Sequence, residues 1–246
     1  MAPNLADPAK PKSEVRLPVA DDWLIPLPEA ALWWREEETL IVSDLHFEKG
    51  SSIAAGGQLL PPYDTSATLT RVEALCRALT PKRVISLGDS FHDVQAETRL
   101  CSQDTDRIRV LTSAYEWLWI EGNHDPDPPA HLGGIAMAEW RCRSLVFRHE
   151  PTGERGEISG HLHPVAKVRG RGRAVRRKCF ISNGDYMTLP SLGAFTGGLN
   201  VCDPAIQALY PGGGSVFVVG KARIVPVPNS SLLADVPRLS STQWRL

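Results

Sequence analysis

Four short polar segments between residues 44 and 163 carry most of the aspartate, asparagine and histidine side chains that could act together. They are Asp44-Leu45-His46, Gly88-Asp89-Ser90-Phe91-His92, Gly122-Asn123-His124-Asp125, and His149 followed by Gly160-His161-Leu162-His163. Carboxylate, amide and imidazole donors from separate segments suit divalent cations such as Mn, Fe or Zn. The pattern predicts a two-metal site, so the fold must bring four distant chain segments to one place.

The spacing of the first two segments explains how they could hold cations. Asp44 and His46 are separated by one residue, so at the end of a strand both side chains leave the same face. Asp89 follows an apolar run over residues 84–87. Its two carboxylate oxygens could bridge two cations about 3.5–4 Å apart.

The last two segments supply the remaining donors. His161 and His163 repeat the alternate spacing, so one loop could reach both cations. Asn123 offers a neutral oxygen ligand, which leaves its neighbour His124 free to face a substrate.

Each segment also has an ordinary structural interpretation when it is taken alone. Asp-x-His is common, Gly-Asp after a strand is typical of a turn, and His-x-His suits a surface or pH-sensitive patch. The combination favours the metal site, because five of the 7 histidines fall within the segments as ligands or catalytic candidates. Only His92 and His131 are left without such a role.

The apolar pattern around the first three segments predicts alternating strands and helices. A short apolar run over 39–43 ends at Asp44, and a helical pattern begins near Asp64. A buried strand over 84–87, a helix over 103–114 and a strand over 117–120 follow. Such a β-α-β-α-β run forms a parallel sheet, and ligands collect at the carboxyl ends of its strands.

The chain changes character after Pro129, where short strand-like pieces predict a second sheet. These pieces cover residues 141–147, 156–159, 165–168 and 179–183, with a hairpin over 216–226. We therefore predict an α/β fold, a four-layer α-β-β-α sandwich of two mixed sheets flanked by helices. A flexible, proline-rich tail over 1–20, with docking as an alternative role, should precede a single domain over 21–246.

Composition limits the possible settings without identifying a function. The formal net charge is −1, so attraction to a polyanion must be local. The 5 cysteines are odd in number, spread out and free of Cys-x-x-Cys pairs, which favours reduced thiols. No secretory signal or membrane span is evident. We expect a soluble, cytoplasmic protein.

A basic segment follows the last histidine motif and is the main candidate for a polyanion contact. Its cationic residues are Arg169, Arg171, Arg173, Arg176, Arg177 and Lys178. Such a cluster can neutralise backbone phosphates, or it can be the solvated tip of a hairpin. Arg148 is similarly open between a bidentate phosphate contact and a strand-end charge. The loop over 48–63 could be a wall of the site or a connector, and Trp117 and Trp119 should pack as strand residues.

The four segments, in this order, resemble the pattern of the calcineurin-like metallophosphoesterases. Five longer strings resemble a narrower bacterial family, the ligase-associated DNA damage response phosphoesterases (PdeM). These strings are DLHFEKGSS at 44–52, LPPYDT at 60–65, GDSFHD at 88–93, GEISGHLHP at 156–164 and GAFTGGL at 193–199.

The resemblance implies a role for each motif residue and the four-layer fold of that family. Asp44, His46 and His163 would hold one metal, Asp89 would bridge, and the other metal would be held by Asn123, His149 and His161. A metal-bridging hydroxide would attack phosphorus in line, and His124 would stabilise or protonate the leaving oxygen. Mn is the expected metal, with Fe or Zn as alternatives.

The sequence departs from the family pattern at two positions. Many relatives carry an acid three residues after the bridging carboxylate, where it orients the motif histidine. Here that position is His92 and the acid, Asp93, comes one residue later, so the partner of His124 is open. His149 follows Arg148 where phosphoprotein phosphatases commonly have glycine.

The resemblance implies a DNA phosphodiesterase, an endonuclease acting on single-stranded or damaged strands. Its implied partners are DNA, an ATP-dependent DNA ligase, a helicase and a nuclease. Two alternatives stay open at this point: a phosphodiesterase for cyclic nucleotides or other small molecules, and a metal-poor scaffold within a repair complex.

Overall fold

The structure is a computed structural model that describes residues 15–55, 57, 63–127, 130–170 and 172–235. Most of the predicted tail over 1–20 lies outside these residues. The prediction of a flexible tail is wrong for its last residues, because Leu17–Val19 forms a strand in which Val19 is fully buried. A proline at the centre of that strand is tolerated because the strand lies at a sheet edge. The assignment of residues 21–246 to one domain stays a prediction.

Within the described residues, fifteen strands make up two sheets. The strands are β1 Leu17–Val19, β2 Asp22–Pro26, β3 Leu32–Trp34, β4 Thr39–Val42, β5 Arg83–Leu87, β6 Glu116–Ile120, β7 Ile135–Met137, β8 Glu139–Cys142, β9 Leu145–Arg148, β10 Glu157–Ser159, β11 Val165–Arg169, β12 Ala174–Ser182, β13 Met187–Thr188, β14 Ser215–Val219 and β15 Ile224–Val227.

The helices are short except for two. They are α1 Lys49–Ala55, α2 Asp64–Leu79, α3 Ala96–Arg99, α4 Ser102–Ala114 and α5 Pro204–Leu209, with 3-10 turns at Arg35–Glu37, Ala130–Leu132 and Asn229–Ser231. None of the helices in the part of the chain that is described combines the length and apolarity required to span a membrane.

The first sheet has the strand order β1-β2-β3-β4-β5-β6-β7. Strands β4 to β7 run parallel, and β1 to β4 are antiparallel. The predicted β-α-β-α-β run is β4-α2-β5-α4-β6, so the carboxyl ends of its three strands share one sheet edge.

The second sheet has the strand order β15-β14-β12-β13-β10-β9-β8, and β11 pairs with β12. The sheet is mixed, since β10 runs parallel to both β9 and β13 while the other pairs are antiparallel. The predicted hairpin over 216–226 is confirmed as β14 and β15. The predicted strand over 141–147 is wrong as one element, because a turn at Arg143 with a φ of 52° divides it into β8 and β9.

Among the residues that the structure describes, three apolar cores lie between four layers. One core packs α2 and α4 against the first sheet, through residues such as Leu69, Ile108 and Val84. A second core lies between the sheets, and a third packs α5 against the outer face of the second sheet. The predicted α-β-β-α sandwich is therefore confirmed, including the buried strand positions of Trp117 and Trp119.

Candidate active site

The candidate ligands lie where the carboxyl ends of strands from both sheets meet. Asp44, Asp89 and Asn123 follow β4, β5 and β6 within three residues. His149 directly follows β9, while His161 and His163 lie in the loop between β10 and β11. The parallel order of the strands, and not closeness in sequence, therefore brings these side chains together.

The first cluster consists of Asp44, His46 and His163. One donor atom from each residue lies within 4.8 Å of the others. His163 Nε2 is 3.0 Å from Asp44 Oδ1 and 3.3 Å from His46 Nε2. Two imidazole nitrogens and a carboxylate oxygen thus point to one place, which is the donor set of a divalent cation site.

The second cluster consists of Asp89, His149 and His161, and its donors meet the same 4.8 Å limit. Asn123 completes it, because its Oδ1 is 3.0 Å from His149 Nε2 and 2.9 Å from His161 Nδ1. The two imidazole nitrogens are 3.1 Å apart. Four donors from both sheets therefore surround this point.

Asp89 lies between the two clusters. Its Oδ2 is 3.4 Å from His149 Nε2 and 3.9 Å from His46 Nε2. Its Oδ1 accepts a hydrogen bond of 2.9 Å from the backbone N–H of His124. The carboxylate therefore has one oxygen fixed by the backbone and one oxygen facing histidines of both clusters.

The electrostatics of the two clusters suit cations. Burial opposes ionisation of Asp89, but the hydrogen bond and the charge of His149 outweigh it and lower its pKa to about 2. Burial likewise opposes the charge on His149, and its bond to Asp89 raises its pKa to about 9. Burial lowers the pKa of His46 to about 3, so this ring is a neutral ligand. His149 therefore carries a proton beside the ionised Asp89. The second cluster attracts positive charge at this point, as expected of a metal site.

The backbone at the clusters is strained. Asp44, His46, Asp89, His161 and His163 have φ values of 52°, 45°, 46°, 66° and 45°. L-residues adopt this left-handed conformation at a cost of about 1–2 kcal/mol each. Such strain persists only where surrounding contacts enforce it, and it concentrates at functional sites.

Glycines make the close approach of these loops possible. A Cβ added to Gly88 would overlap the ring of His149, and one added to Gly160 would overlap Ser43 Oγ. Gly88 also has a φ of 69°, which other residues rarely adopt. The glycine that precedes a ligand in each of these motifs is therefore needed for packing against the opposite sheet.

Hydrogen bonds behind the ligands orient them. His149 Nδ1 donates to the carbonyl of Leu87 over 2.9 Å, which directs its Nε2 lone pair into the second cluster. Asp44 Oδ2 accepts from Ser43 Oγ at 2.5 Å and from the backbone N–H of His161 at 3.2 Å. These three hydrogen bonds fix the directions of the His149 and Asp44 side chains.

Asp125 is a positioning residue that the sequence analysis left without a role. Its Oδ2 accepts from the backbone N–H groups of Ser90 and Phe91, at 2.8 and 3.0 Å. Burial raises its pKa to about 7. Asp125 therefore holds the loop that carries Asp89. Its position at the end of the Gly122-Asn123-His124-Asp125 motif is the sequence feature that could have indicated this role.

The structure answers the question about the partner of His124. His92 stacks on His124, with ring centroids 5.5 Å apart and planes inclined by 16°. Asp93 instead forms an ion pair of 2.7 Å with Arg99. His124 Nε2 is 4.0 Å from Asp89 Oδ2 and its side chain is 43% exposed, so it can reach a substrate beside the clusters.

Arg148 requires a correction, because it is not free to contact a phosphate. Its guanidinium forms ion pairs with Glu154 at 2.6 Å, Glu139 at 2.9 Å and Glu157 at 3.3 Å. A guanidinium among three carboxylates is already neutralised. Arg148 fastens β8, β9 and β10 to one another.

The basic segment is also less available than its sequence suggested. Lys178 is half-buried, and its ammonium donates to the carbonyls of Ser191 and Gly193. Arg176 donates to the carbonyl of Gly198 and pairs with Asp235. The prediction that Lys178 and Arg176 bind substrate is therefore corrected, because their cationic groups are already paired within the protein. The other described members are exposed, namely Arg169, Arg173 and Arg177, and Arg171 lies outside the described residues.

Comparison with solved structures identifies the fold. The chain is similar to nuclease MPE of Pseudomonas putida, with 26% identity and a TM-score of 0.69 over 87% of this chain and 100% of that one. The resemblance to the calcineurin-like metallophosphoesterases is confirmed. In this metallophosphoesterase fold, the two clusters indicate divalent metal binding and support phosphoester hydrolysis.

A second structural similarity is too weak to carry an argument. It is to Yfce, a phosphoesterase from E. coli, with 15% identity and a TM-score of 0.39 over 77% of this chain and 97% of that one. No protein-family model and no curated protein matches this chain.

Proposed function

We propose that the chain is a manganese-dependent phosphodiesterase that hydrolyses DNA as an endonuclease, acting on single-stranded or damaged strands. The observation that carries the proposal is Asp89, which faces histidines of both clusters inside a fold shared with a nuclease. Two cation positions on either side of one carboxylate suit the clamping of a phosphodiester between them.

The proposed ligands are divided between two positions. Asp44, His46 and His163 would hold one cation, Asn123, His149 and His161 the other, and Asp89 would contact both. Bound there, the cations would supply Lewis-acid activation of water and neutralise the phosphoryl charge. The mixed nitrogen and oxygen donor set suits Mn, and Fe or Zn are chemically acceptable alternatives.

The chain's own residues would orient the substrate and move the proton. His124 is half-exposed beside Asp89, and the stacked ring of His92 holds it there. We assign to His124 the stabilisation or protonation of the leaving oxygen, since a positioned imidazole can deliver a proton near neutral pH. Asp125 would preserve the distance between His124 and Asp89 by holding the loop after β5.

DNA is the proposed substrate because the structural neighbour is a nuclease and the exposed arginines lie just after His163. Arg169 and Arg173 lie at the outer end of the β11–β12 hairpin, and Arg177 is exposed further along β12. They would contact backbone phosphates without reading sequence. The family resemblance extends the proposal to a cytoplasmic repair setting with an ATP-dependent DNA ligase, a helicase and a nuclease.

The test is the variant Asp89→Asn assayed with Mn on a single-stranded oligonucleotide and on bis(p-nitrophenyl) phosphate. We expect at least a 1000-fold loss of turnover on both, because removal of the shared charge affects both cations, whereas loss of an orienting residue typically costs about 10–100-fold. Asp106→Asn, which changes a carboxylate exposed on α4, is the matched control and should retain wild-type activity. Near-normal turnover of Asp89→Asn would refute the site.

Assays on further substrates, together with elemental analysis and a binding measurement, separate the competing functions. Wild-type protein that hydrolyses cyclic nucleotides or small diesters but cuts no linear, circular or gapped DNA would be a small-molecule phosphodiesterase. Protein that retains no transition metal by elemental analysis, and still captures repair proteins, would be a scaffold.

A further inference from the structure

One loop between β13 and α5 contacts the backbone of two ligand-bearing segments, the one with Asp44 and the one with His161 and His163. The N–H of Gly193 donates to the carbonyl of Asp44 over 3.2 Å, and the N–H of Leu199 donates to the carbonyl of Leu162 over 3.3 Å. A Cβ added to Gly198 would overlap the carbonyl oxygen of His163. The loop is the GAFTGGL string, and it forms part of the border of the candidate active site.

The loop is held by hydrogen bonds from the half-buried ammonium of Lys178. Lys178 Nζ donates to the carbonyl of Ser191 at 2.6 Å, to the carbonyl of Gly193 at 3.1 Å and to Thr196 Oγ1 at 3.0 Å. Thr196 Oγ1 in turn donates to the carbonyl of Gly193 over 2.8 Å. A loop closed by this many hydrogen bonds presents its tip in one conformation.

Phe195 is at the tip of this loop and is unusual in two ways. Its side chain is 50% exposed, although it is a large apolar ring. Its φ of 57° lies in the left-handed region, where a bulky non-glycine residue is an outlier. Phe195 is two residues from Gly193, whose N–H donates to the carbonyl of Asp44, so its Cα lies at most about 7 Å from the Cα of a residue in contact with the first cluster's backbone.

We infer that Phe195 is a stacking platform for an unpaired nucleobase next to the scissile phosphate. This inference rests on the proposed function and deepens it, because it specifies single-stranded DNA. A rigid exposed ring gives an aromatic face that stacks on any base, and the exposed arginines of the β11–β12 hairpin would contact the backbone phosphates. Bases in a duplex are paired and stacked on one another, so they cannot occupy this position without being displaced.

The test compares Phe195→Ala with wild type on two single-stranded oligonucleotides with one scissile region. One carries normal bases and the other carries abasic residues on both sides of the cut. We expect Phe195→Ala to raise the KM for the normal oligonucleotide about 5- to 100-fold with little change in kcat. On the abasic oligonucleotide, wild type and variant should have the same KM.

Two controls keep the test informative. Phe195→Trp should retain the wild-type KM on normal DNA, because it keeps an aromatic face in the same strained position. Trp23→Ala removes another half-exposed aromatic ring, on β2 near one edge of the first sheet, and should leave both KM values unchanged.

Three results would overturn the inference: an unchanged KM for Phe195→Ala, an equal rise on both oligonucleotides, or a tryptophan variant as impaired as the alanine variant. Failure of the proposed function has a different signature. In that case the wild-type protein would hydrolyse small diesters and cut neither oligonucleotide, and the inference would fall together with it.

Discussion

The two regions that the sequence suggested for function differ sharply in what their polar atoms contact. In the metal clusters, seven side chains from both sheets direct their donor atoms towards two neighbouring points, and carbonyl or amide groups behind them fix their direction. In the basic segment, Lys178 and Arg176 instead turn to carbonyl oxygens and to Asp235.

The difference shows which kinds of sequence signal survive folding. A ligand motif combines side chains with glycines and strand ends that fix the backbone. The local sequence therefore determines part of its geometry. A run of like charges fixes no geometry, and each guanidinium or ammonium pairs with whatever acceptor the fold brings near. The following experiments test this contrast, from the largest expected effect to the smallest.

The strongest test is to disturb the backbone of a cluster without changing a ligand. Gly88→Ala should reduce phosphodiester turnover at least 100-fold, because the new Cβ overlaps the His149 ring. Gly172→Ala in the β11–β12 hairpin is the control, since its φ is also positive, at 85°, and no atom lies near its Cβ position. Equal losses in both variants would show that positive φ alone, and not the cluster, determines the result.

Arg148 should behave as a structural residue and not as part of the DNA surface. Arg148→Met should lower the free energy of unfolding by about 2 kcal/mol, because the buried Glu157 loses its cationic partner, although it keeps hydrogen bonds from Thr152 and Gly153. The KM for DNA should stay the same. Arg141 shares the partners Glu139 and Glu154 but lies at the surface, so Arg141→Met should leave the free energy of unfolding close to the wild-type value. A raised KM in Arg148→Met would restore the phosphate-binding role.

The exposed part of the basic segment should account for a modest share of DNA affinity. Replacing Arg169, Arg173 and Arg177 together by glutamine should raise the KM for DNA about tenfold and flatten its salt dependence by up to about two units of log–log slope. Small diesters should be unaffected. Lys221→Gln with Arg223→Gln changes the other exposed hairpin and serves as the control; an identical effect there would point to general charge and not to a defined surface.

Metal loading should release protons. The pKa of His149 is raised to about 9 in the metal-free chain, so at pH 7 its ring is protonated and the incoming cation must displace that proton. Affinity at this position should therefore fall about tenfold per pH unit below pH 9. Calorimetric Mn titrations in buffers of different ionisation enthalpy should report about one proton released, and none would contradict the assignment.

Much of the fold follows from the sequence because strands β4, β5 and β6 are short apolar runs that end in polar motifs. Strands β1 to β3 could not be predicted in the same way. Pro18 and Pro26 interrupt their patterns, and their pairing depends on edge positions that only the assembled sheet creates.

The limits at the site have the same physical origin. Asn123, His149 and His161 were predictable as a group because their motifs fix local geometry. The stacking of His92 on His124 was not, since it depends on the relative position of two loops from different strands. The contacts of Lys178 with residues 191–196 likewise arise from tertiary packing that charge patterning does not encode.

The division of the donors between the sheets has a mechanical consequence. Four of the seven belong to the first sheet and three to the second. A site with bound metal ions would therefore link the two sheets. Bound ions would therefore stabilise the contact between the two sheets, and a shift of one sheet relative to the other would weaken ion binding. Ion retention would serve as a gauge of how well the two sheets are aligned.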